Sequence, residues 1–396
     1  MSDASGSEAP LRPYDVLAFG ATGFTGGLAA EYLAKNAPPG TRWAVAGRNE
    51  SKLQAIVDRL GKERCKPVGF VVASVDDDAS LRAMAASTRV LLSTVGPFEE
   101  YGEPVVRACI AEGTDYLDIT GEPQFVDRMI ERYHTDAKAA GVKIVSCCGF
   151  DSIPHDLGVL YTLGHLPEGV PVKIRGFVRS RGTFSGGTWH SAVRAMGNMR
   201  AYAAERRKRP KESASSGRKV RGIKPKVRYE RRIGAWAAPL PTIDPQVVLR
   251  SARLCDEYGP DFRYGHYARV KNLSTIVGGG IAIGGIAALA QLKPTRNLLL
   301  KVKAQGEGPT ESERARSWFT VTFLAEADGE TVTTEVSGGD PGYSETAKML
   351  SESALCLAFE REETPALTGV ITPAAAMGQP LIERLQRAGI SFRRVV

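Results

Sequence analysis

Cysteine is scarce in this chain of 396 residues, and its six cysteines form neither a Cys-x-x-Cys pair nor a cluster with histidine at zinc-binding spacing. Internal repeats at a fixed period are also absent. We therefore expect reduced thiols, a reducing compartment and no structural metal. The chain exceeds the usual domain of about 100–200 residues. Hydrophobic residues make up 43% of it, which predicts two globular domains with sizeable cores.

The amino-terminal stretch MSDASGSEAPLRP lacks the apolar core that a secretory signal needs. Most of its residues are small or polar, so we expect residues 1–13 to be disordered. The protein is expected to be cytoplasmic, either free or peripheral at the inner face of the membrane.

Positive charge is concentrated in one segment. Glu205–Arg232 holds 13 Lys or Arg and 3 Glu residues, a net charge of +10, whereas the whole chain carries +8, so the remainder sums to −2. The segment is rich in Ser, Gly and Pro, which predicts a mobile surface loop. Its single aromatic residue is Tyr229, and this does not favour a nucleic-acid partner.

Short apolar strands alternate with helical segments over the first 148 residues. The predicted strands are Tyr14–Phe19, Arg42–Ala46, Pro67–Ala73, Arg89–Val95, Tyr116–Ile119 and Val142–Cys147. The predicted helices are Gly26–Lys35, Glu50–Leu60, Asp78–Ser87, Pro104–Glu112 and Pro123–Ala140. This order predicts an α/β fold with a doubly wound parallel sheet of the Rossmann type. After residue 150, a strand at Val172–Ser180 and a later hairpin predict a second, α+β domain.

Three glycines lie three residues apart in GATGFTG, where the first strand meets the first helix. Gly20 permits a tight turn, Gly23 lets a pyrophosphate approach the main chain, and Gly26 lets the helix pack on the strand. The free N–H groups of the helix N-terminus favour an anion. An alternative is that the glycines serve the turn alone. We predict a dinucleotide site formed by Gly20, Thr22, Gly23, Phe24, Thr25 and Gly26.

The end of the second strand indicates which dinucleotide is bound. NAD-binding proteins of this fold usually place a carboxylate there to bind the ribose 2′-hydroxyl. This chain has Arg48 and Asn49 instead, and arginine pairs well with a 2′-phosphate. NADP(H) is therefore the expected cofactor, unless Arg48 is merely a solvated residue at a strand end.

The loops after the later strands are expected to complete the cofactor site. The carboxyl ends of parallel strands border the ligand crevice in this architecture, so these loops should meet near the nicotinamide. The expected contacts are Thr94, Val95, Gly96, Pro97, Gly121, Cys148 and Gly149.

The strings GATGFTG, TVGPF, CGFDSIP and TPAAAMG resemble the saccharopine dehydrogenase-like oxidoreductases, and most closely the actinobacterial trans-acting enoyl reductases. The resemblance extends over nearly the whole chain. It implies an NADP-binding Rossmann domain and reduction of a C=C bond in a polyketide-derived or other lipid, either free or attached to a carrier. Two alternatives stay open: a saccharopine-type amino-acid dehydrogenase, and a non-catalytic dinucleotide-binding protein associated with lipid or membrane.

The domain organisation follows from this reading. Residues 14–150 are expected to bind NADP, and residues 151–340 to form the substrate or lipid domain, with the basic loop 205–232 and the apolar segment 272–292. Residues 341–396 are expected to form C-terminal helices that return to the first domain.

A proton donor must accompany hydride transfer to a double bond. Tyr101, Asp151 and His155 are the candidates at the predicted rim. Asp151 and His155 are four residues apart at a helix start and are expected to share a face. Asp151 has a second interpretation as the N-cap of that helix.

Asn272–Leu292 is a stretch of 21 residues without charge, preceded by Arg269 and Lys271. A helix of this length would span about 30 Å of bilayer. Its alternatives are a wall of an acyl-binding site, a homodimer interface or a buried core helix. We favour peripheral contact with a membrane or lipid, because the flanking cations suit anionic head groups.

Overall fold

The computed structural model describes residues 12–182, 189–190, 192–194, 196–197, 217–302 and 308–395. Its first sheet contains β1 (Tyr14–Phe19), β2 (Trp43–Gly47), β3 (Phe70–Val72), β4 (Thr88–Ser93), β5 (Asp115–Asp118), β6 (Lys143–Val145) and β14 (Gly369–Ile371). The strand order is β14-β6-β5-β4-β1-β2-β3, and all pairs are parallel. This confirms the predicted Rossmann-type sheet.

Six helices of the described chain connect these strands or follow them: α1 (Phe24–Asn36), α2 (Glu50–Leu60), α3 (Asp78–Ala86), α4 (Phe98–Glu112), α5 (Pro123–Ala139) and α6 (Ile153–Leu163). Side chains of Asn49 and Asp77 accept main-chain N–H groups at the starts of α2 and α3. These caps satisfy donors that a helix N-terminus otherwise leaves unpaired. At the other end of a helix, Gly113 adopts a left-handed conformation that ends α4.

Helix α4 begins six residues earlier than the sequence predicts. We expected it to start at Pro104, but Pro104 lies inside the helix. The buried Glu122 carboxylate accepts N–H groups from Phe98 and Glu99, at 3.4 and 2.7 Å, and so supplies a cap from outside the helix. An interior proline loses one main-chain hydrogen bond. This earlier start places Tyr101 in the first turn of the helix.

The second sheet contains β7 (Val172–Arg181), β8 (Lys219–Gly222), β9 (Arg228–Glu230), β10 (Ala235–Pro239), β11 (Asp261–Val270), β12 (Trp318–Ala327), β13 (Glu330–Gly338) and β15 (Ser391–Arg394). The order is β15-β13-β12-β7-β11-β10-β9, with β8 beside β11. Strands β7 and β8 run parallel to β11, and the other pairs are antiparallel. This is the predicted second domain with both helices and strands.

The basic segment 205–232 is not a single loop, contrary to expectation. Its second half contributes β8 and β9, which pair with β11 and β10. The sequences KVRG and RYE were not recognised as strands because charged residues dominate the segment around them. Residues 205–216 lie outside the described residues, as do residues 1–11 of the expected disordered N-terminus. Arg12, at the edge of that stretch, donates to Thr114 Oγ1 and to Gly113 O.

The remaining helices of the described chain are α7 (Asp244–Leu254), α8 (Leu273–Ala290), α9 (Lys293–Leu300), α10 (Glu311–Ala315), α11 (Ser344–Phe359) and α12 (Pro373–Arg387). Helix α11 is buried along most of its length and packs on α1 and β4. Tyr32 of α1 donates to Glu352 of α11 at 2.7 Å. The C-terminal part therefore returns to the first domain. It also carries two strands that we did not predict, β14 in the first sheet and β15 in the second.

Helix α6 lies at the junction of the two sheets. Nine of its eleven residues are buried. A Cβ atom at Gly158 would lie 2.4 Å from the ring of Phe323 in β12, so only glycine allows this close packing. The packing fixes the segment from Asp151 to His155 between the dinucleotide turn and the second sheet.

Candidate functional site

Gly20 and Gly26 are required by the packing of the chain itself. Gly20 has φ +91°, and a Cβ atom there would lie 2.7 Å from Thr94 Oγ1. A Cβ atom at Gly26 would lie 2.2 Å from Gly20 O. Larger residues at either position would therefore separate the turn from helix α1 or from the end of β4.

Gly23 is different, because no described residue would lie closer than 3.3 Å to a Cβ atom there. Its φ and ψ, −83° and 168°, are open to any residue. The nearest atom to a Cβ at this position would be Gly20 O at 3.3 Å. Gly23 is also the N-cap of α1 and offers no side chain to the helix N–H groups. The conformation and packing of Gly23 do not explain why glycine occurs there. The close approach of a phosphate to this uncapped helix N-terminus would explain it.

The other predicted residues of the turn occupy different environments. Thr22 is exposed and Thr25 is half-buried. The Phe24 ring packs edge-on against Tyr343, with ring centroids 5.1 Å apart, and the Arg314 guanidinium lies over it at 5.7 Å. Phe24 therefore joins the dinucleotide turn to the C-terminal part of the chain.

Arg48 and Asn49 lie at the end of β2 as predicted. They line an open cleft of about 580 Å³ with Glu50, Ser51, Gln54 and Phe70. Asn49 Oδ1 accepts the N–H of Lys52 at 2.9 Å and is thereby occupied in capping α2. Arg48 is exposed and forms no hydrogen bond or ion pair with the described part of the chain. Its guanidinium is thus available to a 2′-phosphate.

The loop after β4 is clipped to the glycine turn. Thr94 Oγ1 lies 3.2 Å from Phe19 O and 3.3 Å from Gly20 O, to which it donates. Val95 and Gly96 follow, and Pro97 is the N-cap residue of α4. Tyr101, one turn further on, is 36% exposed. These residues form one side of the predicted rim.

The loops after β5 and β6 form the opposite side. Gly121 faces Asp151, since a Cβ at Gly121 would lie 3.3 Å from Asp151 Oδ2. Gly149 is packed against Thr346 of α11 at 2.9 Å by the same measure. Cys148 is fully buried, and burial raises the pKa of its thiol. Any contact of Cys148 with a cofactor is therefore restricted to its main chain.

Asp151 lies at the rim, and its carboxylate has no hydrogen-bond partner among the described residues. The N-cap of α6 is Ser152, and no side chain caps this helix, so the capping interpretation of Asp151 is wrong. The Asp151 carboxylate accepts no hydrogen bond from the described residues, and the side chain is half-buried. Loss of solvent and the nearby charge of Asp244 raise its pKa to about 7, with His155 acting in the opposite direction.

His155 is buried, with a side chain only 1% exposed, and does not face the open rim. Its Nδ1 lies 3.1 Å from Asp244 Oδ1. The second oxygen of Asp244 lies 3.4 Å from His266 Nε2. Burial lowers the pKa of His155, but Asp244 outweighs it and the net shift is upward. Burial is dominant at His266, whose pKa falls to about 4.

The sequence analysis missed this buried group of His155, Asp244 and His266. Their donor atoms lie within 4.8 Å of one another, a spacing that a metal ion could bridge. Thr242 Oγ1 also donates to Asp244, and Tyr264 OH lies 3.1 Å from His266 Nδ1. The three residues come from α6, α7 and β11, so no short motif in the sequence announces them. The Asp244 carboxylate of this group is near enough to Asp151 for its charge to raise the pKa of Asp151.

The sequence of this chain matches a known family of proteins. Residues 16–145 match the saccharopine dehydrogenase NADP binding domain. A Mycobacterium tuberculosis relative, provisionally named a trans-acting enoyl reductase, is 37% identical over 422 aligned positions, covering 96% of this chain and 97% of the relative. A Mycobacterium ulcerans trans-acting enoyl reductase is 34% identical with the same coverage of both chains. The Bos taurus saccharopine dehydrogenase-like oxidoreductase is 32% identical, again covering 96% and 97%.

Among solved structures, apo saccharopine dehydrogenase (L-Glu forming) from Saccharomyces cerevisiae shares the fold. Its TM-score is 0.55 at 14% identity, covering 96% of this chain and 99% of the other. At that identity the likeness concerns the fold alone.

Proposed function

The chain belongs to the saccharopine dehydrogenase-like family of NADP-binding oxidoreductases, and on that premise we propose that it is a trans-acting enoyl reductase that saturates a C=C bond in a lipid or acyl substrate. The mycobacterial relatives carry the name enoyl reductase, whereas the animal relatives are named only by the family. The observation that carries the proposal is Asp151, a carboxyl group at the rim with a pKa near neutrality.

The residues at the glycine turn fit the cofactor. Gly23 and the uncapped start of α1 would receive the pyrophosphate, and Arg48 would pair with the 2′-phosphate. NADPH, when bound, supplies the hydride. The chain's own task is then to orient the double bond, exclude water and deliver a proton to the neighbouring carbon.

Asp151 is the proposed proton donor. Its carboxyl group can be protonated at neutral pH, because burial and Asp244 disfavour its charged form. Delivery of its proton leaves a carboxylate, which regains a proton from solvent at the half-buried rim. His155 is too deeply buried for direct transfer and holds Asp244 in place instead. Tyr101, on the opposite side, is positioned to border the substrate.

The interior of the second domain argues against amino-acid recognition. A dehydrogenase of that kind needs cationic side chains to bind substrate carboxylates, and arginine is best suited to this. Among the described residues, Arg175 is buried there and already pairs with Glu230 and Glu326, at 2.8 and 2.7 Å. Arg250, also buried, donates to Val370 O at 2.8 Å. Both guanidinium groups are thus already engaged within the chain, whereas a neutral acyl chain needs no cation.

The test is a comparison of substrates with purified protein. NADPH carrying deuterium at the transferred position should label a saturated product from an enoyl thioester, detected by mass spectrometry, and Asp151→Asn should slow this reaction without weakening NADPH binding. Reduction of NADP⁺ by an amino acid such as saccharopine, with no enoyl turnover, would replace the proposal by the amino-acid alternative. Absence of both activities, with NADPH bound, would favour the non-catalytic alternative.

A further inference from the structure

Helix α8 is apolar and almost entirely exposed. Only Ala290 is buried among its 18 residues, and none of them is charged. Val277, Ile281 and Ile283 are 57%, 72% and 53% exposed. Within the described part of the chain, it is the helix that is long and apolar enough to cross a membrane by length and composition. The buried core helix considered from the sequence is therefore wrong.

The apolar residues of α8 point in all directions around its axis. With 3.6 residues per turn, Ile281 and Ile286 lie roughly 80° and 220° around the helix from Leu273. A helix that docks on one protein partner needs a single apolar face. A helix that is apolar on every side instead suits a surrounding medium that is itself apolar.

Both ends of α8 are attached to the same folded body. Its start follows β11 after two residues, and β11 is paired with β10 up to Val270. Beyond its end, Gln291 Nε2 donates to Met196 O at 2.6 Å, and Trp189 Nε1 donates to Leu299 O of α9 at 2.6 Å. A helix held at both ends by one body can enter the apolar layer of a membrane from one side without carrying the rest of the chain across it.

Two segments near α8 and α9 contact the rim of the candidate site. Arg194 lies in the segment whose Trp189 and Met196 contact the end of α9 and of α8, and it pairs with Glu100 at 2.8 Å, next to Tyr101 in the first turn of α4. After them, Gly308 packs on Phe24 of the dinucleotide turn so closely that a Cβ would lie 2.2 Å from the ring. The apolar helix is therefore linked, through neighbouring segments, to the first turn of α4 and to the dinucleotide turn.

Cations flank the apolar helix. Lys271 precedes it, and Lys293, Arg296 and Lys301 follow it within eleven residues along the chain. Lys271, Lys293 and Lys301 are exposed. Each cation near an anionic leaflet contributes attraction of about 1 kcal/mol, which corresponds to about a fivefold increase in binding.

We propose that α8 inserts into the acyl region of an anionic lipid bilayer from one side, with its flanking cations at the head groups, so that the rim of the site receives its substrate from the membrane. The proposal rests on the proposed function for the nature of the substrate, but not for membrane binding itself. It identifies the substrate class as a membrane-resident acyl lipid.

The test is sedimentation of the full chain with vesicles of phosphatidylcholine alone or mixed with phosphatidylglycerol. We expect the wild type to bind the mixed vesicles and Ile281→Lys to bind about tenfold more weakly at every salt concentration, since a charge on the apolar helix opposes insertion. Val68→Lys is the matched control, because Val68 is 57% exposed on the first domain, and it should bind like the wild type. The pair Lys271→Glu and Lys293→Glu should bind weakly and lose the salt dependence.

The outcomes separate this inference from the proposed function. Equal binding of wild type and Ile281→Lys, or no binding by the wild type, would overturn membrane insertion, whatever the reductase activity. A wild-type dimer that Ile281→Lys converts to a monomer, without vesicle binding, would assign α8 to a homodimer interface and also overturn it. Normal vesicle binding and NADPH binding without any enoyl turnover would overturn the proposed function alone.

Discussion

Replacement of Asp151 by asparagine is the sharpest perturbation that the site offers. The change keeps the size of the side chain but removes its proton. It leaves the glycine turn and Arg48 untouched, so NADPH affinity should be unchanged. An absent general acid typically lowers the rate about 10²–10⁴-fold, and we expect a loss of kcat in this range.

The fraction of Asp151 that is protonated at pH 7 follows from its pKa. At pH 7 a carboxyl group with the usual pKa of 3.8 is protonated in roughly one molecule in 1,600. With a pKa of about 7, Asp151 is protonated in about half of the molecules, a gain of roughly 800-fold in available acid. Because the acid must start protonated, kcat/KM should be flat below pH 7 and fall about tenfold per pH unit above it.

The assay is NADPH oxidation with an enoyl thioester between pH 5.5 and 9, together with NADPH binding by fluorescence at each pH. In Asp151→Asn the falling limb near pH 7 should disappear, and the remaining rate should vary little with pH. Tyr101→Phe serves as the control, because it removes the phenol of the other candidate donor at the rim and should retain the limb. The reasoning is refuted if Asp151→Asn keeps both the limb and more than about a third of the wild-type rate, since a general acid contributes far more than that.

Three further predictions concern the cofactor site and the stability of the fold. Gly23→Val should abolish NADPH binding but keep the wild-type melting temperature. Gly26→Ala should lower the melting temperature, because its Cβ would lie 2.2 Å from Gly20 O. Equal effects of the two variants on the melting temperature would show that both glycines serve only the turn. Arg48→Ala should weaken NADPH binding by about tenfold or more and leave NADH binding unchanged, because it removes a charge-assisted pair with the 2′-phosphate. If titrations give the same ratio of the NADPH and NADH affinities as in the wild type, Arg48 does not have this role. Burial lowers the pKa of Lys143 from 10.5 to about 8, so the unfolded chain binds this proton more tightly than the folded chain. Relative to Lys143→Met, the wild-type free energy of unfolding should therefore rise between pH 8 and 10. A difference that stays constant with pH in denaturant titrations would contradict the pKa shift.

Local motifs made much of the fold predictable. The turn from β1 to α1 depends on residues within a few positions of one another, and so does the cap of α2 by Asn49. The six strands β1 to β6 of the first sheet were found to within a few residues because parallel strands in such a sheet are mostly apolar. The hairpin of β12 and β13 was likewise marked by Asp328-Gly329.

Distant contacts explain what was missed. Pro104 indicates a helix start, and only the carboxylate of Glu122, from another loop, moves the start back to Phe98. Asp244 lies 89 positions after His155 and 22 before His266, and these residues meet only through the packing of α6 and α7 on β11. Strands β14 and β15 have three and four residues, too short for a periodic signal. Their positions depend on the sheets they join.

The last strands of the chain also bear on its synthesis. Gly369–Ile371 completes the edge of the first sheet beside Lys143–Val145, and Ser391–Arg394 completes the edge of the second beside Glu330–Gly338. A ribosome delivers the chain from its amino terminus, so neither sheet can be completed while residues 369–394 are still in the exit tunnel. Until then two strand edges stay open to other chains. A stop codon shortly before residue 369 should thus yield two incomplete sheets and an insoluble product, rather than one intact domain and one damaged one.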